Sequence, residues 1–323
     1  MATHNPAQAA KPLKPHKAFP EQLQLLLSRG LVIADEAEAL RTLEKLGYYR
    51  LAGYFYPLRQ TYPPGTPGRK DAFFEGASFE LIADLYEFDK KLRLLTLDVV
   101  ERLEVALRVC IAHDLGRLAP DAHRLEAYFD GRFTRKRRDG RSGFDDWQDK
   151  FNERAKRSND DFVHHHARAY GGEMPIWVAI EIWDFGMLSR FYAGMRFKEK
   201  NRLAYKLGRL TAAQLESWLK TLNFVRNVAA HHSRLWNRNV PEVPGIPPAA
   251  DVPLLAHLHT PEKPAYRLYG ALCCAQYLLR SIQPNAAWAD QLRALLGTFP
   301  VSDLVAIDGA GFPPGWAAEP LWS

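Results

Sequence analysis

The sequence predicts an all-α fold. Apolar residues recur every three to four positions through one segment after another, no stretch sustains the two-residue alternation of a strand, and Gly, Pro and Thr punctuate the helical runs. Residues 1–19, rich in Ala, Pro, Lys and His, read as a disordered leader. Pro20 then opens a helix that Gly30 ends, and a second helix covers Asp35 to Leu46 with Gly47 as its stop. The block from Tyr48 to Arg59 is too aromatic for a solvent face. Its rings are read as filling the gap between helical layers in preference to a stacking platform for RNA bases. Residues 61–78, with their Pro, Gly and Lys, are expected to form a loop.

From Phe79 to Leu115, Leu85, Phe88, Leu92, Leu95, Val99 and Leu103 keep helical spacing over about ten turns. Such a helix is a spine for others. Glu104 and Arg108 flank its stripe, four apart in the favourable order, and read as an ion pair on the helix surface. Residues 116–160 are polar, and Arg135, Lys136, Arg137 and Arg138 lie in a run of six basic side chains within 132–141 that suits phosphate contact. The segment 175–192 starts at Pro175 and is apolar on nearly every side, which predicts one buried helix. Within it Glu181 and Asp184 would need partners, an arginine from elsewhere in the core being the candidate. A short helix near 197–208 precedes Thr211 and Gln214, which have capping-box spacing. Two amphipathic helices follow, near 265–282 and 285–297, and a tail with aromatic anchors closes the chain. The organisation is thus a leader, an N-terminal helical and aromatic module over 20–75, a helical domain over 76–300 with its basic insertion near 130–145, and a tail over 301–323 packed on the domain.

Composition narrows the function classes. With 323 residues, 47% hydrophobic and 25% charged, the chain can bury a large core. A net charge of +6 is compatible with a polyanionic partner. Three cysteines make no disulfide framework, the first 20 residues have no apolar core for a signal peptide, and no apolar run approaches the ~20 residues of a membrane span. A cytoplasmic protein without a membrane association is expected. His164, His165 and His166 are consecutive and point in different directions on a helix, so no metal site and no cofactor is expected.

The chemistry concentrates in Leu222–Arg238. On a helical wheel from Leu215 to Trp236, Arg226 falls inside the apolar face, Asn227 and His231 share a flank four residues apart, and His232 leans towards the core. An inward arginine is expensive unless it is paired or lines a cleft. RNA carries its own nucleophile, the 2′-hydroxyl, so a protein that cleaves it needs a group titrating near neutrality and a cation for the phosphate. Histidine and arginine supply both without a metal. Arg108 and His113 repeat the spacing, but an apolar residue follows Arg108 and Glu104 engages it, so this second pair reads as structural.

Arg226-Asn227-x-x-x-His231 resembles the Arg-polar-x-x-x-His signature of the HEPN ribonuclease superfamily. More narrowly, Leu46–Tyr54, Leu85–Asp89 through Glu104, Pro175–Trp177 through Leu188, Val225–Asn227 through Arg238 and Gly311–Pro313 resemble, in order, the abortive-infection (Abi-like) family of phage-resistance proteins. The resemblance implies a HEPN-like helical bundle, here with an N-terminal helical extension and additional C-terminal helices, and metal-independent endoribonuclease activity that halts phage-infected cells. It also implies a homodimer with two motifs facing each other, and admits an antitoxin or a regulatory RNA as a restraint. Arg226 is then expected to position phosphate, His231 to act as general acid and base, and Asn227 to orient His231 or substrate. His232, Arg234, Arg238, Glu104 and Arg108 would support them. The alternative is a non-catalytic RNA-binding or partner-binding component of a defence or toxin–antitoxin system.

Overall fold

The computed structural model describes residues 13–260 and 264–323. The expected leader over 1–19 therefore lies mostly outside the described residues, and its last residue already belongs to a helix. The chain divides into two compact units, one made of the residues up to Tyr86 with Ser302–Val305, the other of Glu87–Val301 with Ala306–Ser323.

The first unit holds α1 (Phe19–Ser28), α2 (Glu36–Leu46) and α3 (Tyr48–Phe55). Each boundary has a local cause. Glu21 reaches back to the Ala18 N–H, Asp35 accepts from the Glu38 N–H at 2.9 Å, and Gly47 at φ +81° turns the chain between α2 and α3. The first eight residues of the aromatic block are α3, and Tyr56–Leu58 add a 3₁₀ turn. Leu51, Tyr54 and Phe55 are buried while Tyr49 points to solvent. The expected loop over 61–78 is corrected in part, because β1 (Arg59–Thr61) pairs antiparallel with β2 (Arg69–Phe73). Arg69 holds the hairpin by donating to the carbonyls of Pro57 and Arg59 at 3.0 and 2.6 Å.

The spine is α4 (Phe79–Gly116), 38 residues long, as the periodicity requires. Helices follow it in short steps: α5 (Gly131–Thr134), α6 (Gly143–Arg157), α7 (Asp161–Ala169), α8 (Ile176–Ala179), α9 (Phe185–Gly194), α10 (Phe197–Gly208), α11 (Ala212–Ala230), α12 (Leu268–Ile282) and α13 (Trp288–Leu296). In the second unit α11 packs against α9, α10 and α12. The fold is helical, and among the described residues β1 and β2 form the one sheet. No helix among them is long and apolar enough to cross a membrane.

The predicted single helix over 175–192 is two helices. After α8 the chain tightens into a 3₁₀ turn, Trp183 becomes extended, and Asp184 caps α9 by accepting from the Met187 N–H at 2.7 Å. An aspartate that finds an N-cap competes with continuation of the preceding helix. The break turns the Trp183 ring into an aromatic core, 4.7 Å from both Trp147 and Phe191. Residues 116–160 are also more regular than expected. Ser142 and Asp145 form a capping box that starts α6, whose Phe144, Trp147 and Phe151 are buried.

His123 is buried in the same core, its ring 5.3 Å from Phe151, and neither ring nitrogen has a hydrogen-bond partner among the described residues. Burial, helped by the charge of Arg124, lowers its pKa from an ordinary 6.5 to about 3. The unfolded chain binds this proton below pH 6.5 and the folded chain does not until near pH 3, so stability falls as the pH is lowered through that window. Urea unfolding at pH 7 and pH 5 is expected to show that His123→Phe removes about 2 kcal/mol of the wild-type loss, since 1.36 kcal/mol corresponds to each pH unit below 6.5. An unchanged pH dependence in the variant would refute this.

Candidate functional site

The motif helix α11 begins where Thr211 and Gln214 exchange the two hydrogen bonds of a capping box, at 2.8 and 3.3 Å. Leu215, Trp218, Leu219, Leu222, Val225 and Ala229 are buried, as the wheel requires. Its C-terminal end departs from the sequence reading. The helix stops at Ala230, with His231 as its C-cap. The His232 N–H donates to the Ala229 carbonyl and the Ser233 N–H to that of Val228, the paired bonds of a Schellman ending. His232 therefore sits at φ +56°, in the left-handed conformation usually given to glycine. It is exposed rather than leaning towards the core.

Asn227 and His231 line one open cavity of about 420 Å³, together with Ser189, Lys220, Asn223 and Glu242. His231 is exposed there, and its N–H keeps the helical bond to the Asn227 carbonyl at 3.0 Å. His232 is not among the lining residues. Arg226 does not line this cavity. It opens on a neighbouring cleft of about 360 Å³ with Glu104 and Arg108 of α4, Arg154 and Arg157 of α6, and Glu181 and Asp184 from the broken segment. A contact at the outer limit of hydrogen bonding joins the two sides, from Arg226 Nη1 to Asn227 Oδ1 at 3.5 Å.

The arginine cleft is built from compensated charges. Arg108 donates to Glu104 at 2.5 Å and to the Trp183 carbonyl at 2.7 Å, with Glu181 at 3.4 Å. The Glu104–Arg108 pair, expected on the helix surface, is thus a wall of the cleft that Arg226 lines. Burial raises the Glu104 carboxyl above its ordinary value, although the charges of Arg108 and Arg226 pull the other way. Burial would raise Asp184 too, but the Met187 N–H, Lys150 and Arg154 outweigh it and hold it low. Arginines do partner Glu181 and Asp184, as anticipated, yet Glu181 is exposed and Asp184 half-buried, so neither is a core charge. Arg226 is half-buried, so it retains access to the cleft.

After the helix, Arg234 donates to the Asn237 carbonyl and Arg238 to that of Arg234, both at 3.4 Å, and Arg238 lies over the Phe224 ring. Both brace the loop. The stretch is anchored by a residue that the sequence reading did not assign to the site. Asp89 of α4, fully buried, accepts from the backbone N–H groups of Leu235 and Trp236 at distances down to 2.6 Å and pairs with buried Arg93 at 2.5 Å. Its signal was present in an Asp and an Arg four apart beside the apolar stripe. Arg154 and Arg157 were also missed, because only the fold brings α6 to the arginine cleft, whereas Lys220 and Asn223 share the flank of Asn227 and His231 by helical spacing and were legible on the wheel.

The basic segment is ordered by its own contacts. Phe133 lies so close to Gly194 and Gly143 that a side-chain carbon at either would come within 3 Å of its ring. Lys136 pairs with Asp145 at 2.6 Å, and Arg137 with Asp146 at 2.9 Å. Much of the expected phosphate-seeking charge is thus neutralised by the first turn of α6. Arg135 and Arg138 are exposed. Neither cavity named above receives any of these four residues.

A family model described as Abi-like protein matches residues 41–237, from within α2 past Arg226, Asn227 and His231. No curated protein and no solved structure matches the chain.

Proposed function

The chain belongs to the Abi-like protein family, and from that premise we propose that it is a metal-independent endoribonuclease of the HEPN type acting in abortive-infection defence against phage. The observation that carries the reading is the convergence of Asn227 and His231 on one open cavity, with Arg226 beside them in an arginine-lined cleft. His231 moves protons between the 2′-hydroxyl, the phosphate and the leaving 5′-oxygen, being the exposed group whose type titrates near neutrality. Arg226 stabilises the charge that develops on the phosphorane oxygens. Asn227, within reach of Arg226, sets the orientation of the guanidinium.

Within one chain Arg226 and His231 line different cavities. That supports a homodimer in which the arginine of one copy and the histidine of the other complete a site on RNA. It equally favours, should no such dimer form, a second reading in which the chain holds RNA without cutting it. Incubation of the purified protein with total RNA in EDTA, followed by sequencing of the new ends, separates the two. EDTA-resistant cleavage is expected. Tight binding without cleavage, weakening steeply with salt, would replace the nuclease by the binding module.

A further inference from the structure

We propose that Trp177 is a base-stacking platform that receives a nucleotide of a single-stranded RNA next to the arginine cleft, an inference that rests on the nuclease reading for the identity of its ligand. Of the eight tryptophans, six are fully buried and Trp316 is half-buried, whereas Trp177 is 51% exposed. Packing thus leaves about half of this indole uncovered. Its position is fixed from below. A side-chain carbon at Gly116, at the end of α4, would meet the six-membered ring of Trp177 at 3.1 and 3.3 Å. Glycine there lets the indole lie against the helix end, which leaves part of the ring system open to solvent and held in one orientation.

Two open grooves share this ring as their common wall. One, of about 520 Å³, runs along α4 past Val109, His113 and Arg117, and its remaining lining includes Arg108 and Glu181. Those last two also line the cleft of Arg226, so the surface is continuous from that arginine to the indole. The other groove, of about 460 Å³, carries Asp121 and Glu173. Charge decides between them. Among the described residues Arg117 is exposed with no ion-pair partner, and His113 is exposed beside it, so a phosphate backbone is favoured on the α4 side and opposed by the carboxylates of the other. Among the described residues that line this groove Glu181 is the one carboxylate, with Arg108 3.4 Å from it, while Asp114 pairs with His113 from outside the lining. A π-face flanked by cations, with an apolar floor of Val109 and Ala112, matches a nucleobase with its adjacent phosphates.

The test uses the full chain and a single-stranded 2′-O-methyl oligoribonucleotide, which lacks the nucleophile and cannot be cut. Saturation is expected to quench tryptophan emission and to shield one tryptophan from iodide, and Trp177→Phe is expected to abolish both signals while still binding. Trp177→Ala is expected to bind about tenfold more weakly. With cleavable RNA the same substitution should raise KM by a similar factor and leave kcat in place, a split that a folding defect would not produce. Equal affinity of the alanine variant, or a Trp177 that stays open to iodide in the saturated complex, would overturn the proposal. So would a Trp177 already shielded in the free protein in proportion to its self-association, since the surface would then belong to a second copy. Stacking by a wild-type protein that cuts no RNA would leave the platform standing and remove the nuclease.

Discussion

Arg226→Ala and His231→Ala are each expected to lower RNA cleavage by roughly 10²- to 10⁴-fold, the range for loss of a general acid–base or of a charge-stabilising donor. Melting should hardly change, because His231 is exposed and Arg108 still engages Glu104 when Arg226 is gone. The geometry adds a sharper outcome. If one site takes its arginine from one copy and its histidine from the other, the mixed dimer of the two inactive variants contains one intact site. Equal mixing after unfolding and refolding together should then restore about a quarter of wild-type activity, since half of the dimers are mixed and each has one of two sites. No restoration, alongside a confirmed mixed dimer, would place the whole site within one chain. His232→Gly serves as the contrast. It relieves a left-handed residue of about 1 kcal/mol of strain, and cleavage should persist. Loss of cleavage there would move the catalytic role from His231 to its neighbour.

The parts of this molecule that were legible in the sequence are those in which one strong local signal acts alone. The stripe of α4 and the Thr211–Gln214 box of α11 are of this kind. Where two signals compete, the sequence was ambiguous. Between Ile176 and Tyr192 the apolar content argued for one helix, and the capping preference of Asp184 prevailed. At Ala230 the helical period carried on past the end of the helix, because a Schellman turn with histidine in the glycine position has no glycine to announce it. The hairpin of β1 and β2 was hidden for a different reason. Strands of three and five residues are too short to establish a period, and the arginine that ties them together acts through carbonyls that any sequence would supply. For the site, Arg226 was found because a charge in an apolar face is costly, but the wheel of a single helix could not say that Arg226 and His231 open on different cavities. That depends on which sides of α11 are covered by α9, α10 and α12, and on where α4 and α6 bring their charged side chains.

Asp89→Ala is expected to be the most destabilising single change around the motif, by about 3–5 kcal/mol, because it removes one side of a buried ion pair and takes the acceptor from two buried N–H groups. An ordinary buried ion pair can often be replaced by two apolar residues at little cost. Here the same replacement should fail. Asp89 also accepts from the N–H groups of Leu235 and Trp236, which point at it from the chain just beyond the Schellman turn. A double Asp89→Leu, Arg93→Met variant removes both charges yet leaves two buried backbone donors without their acceptor, at about 1–3 kcal/mol each. Chemical denaturation of the single and double variants decides the matter. Recovery of wild-type stability by the double variant would reduce Asp89 to the partner of Arg93. Persistent loss would identify it as the residue that holds the end of the motif in place. In that case Asp89→Asn, which keeps one acceptor oxygen for those amides, should lie between alanine and wild type. Its cleavage should fall with the order of the Ser233–Asn237 loop, as followed by amide hydrogen exchange at Leu235 and Trp236, although Asp89 itself lines neither cavity. The chemistry of His231 would then depend on a carboxylate carried by a different helix, one that fixes where α11 ends and how the chain leaves it.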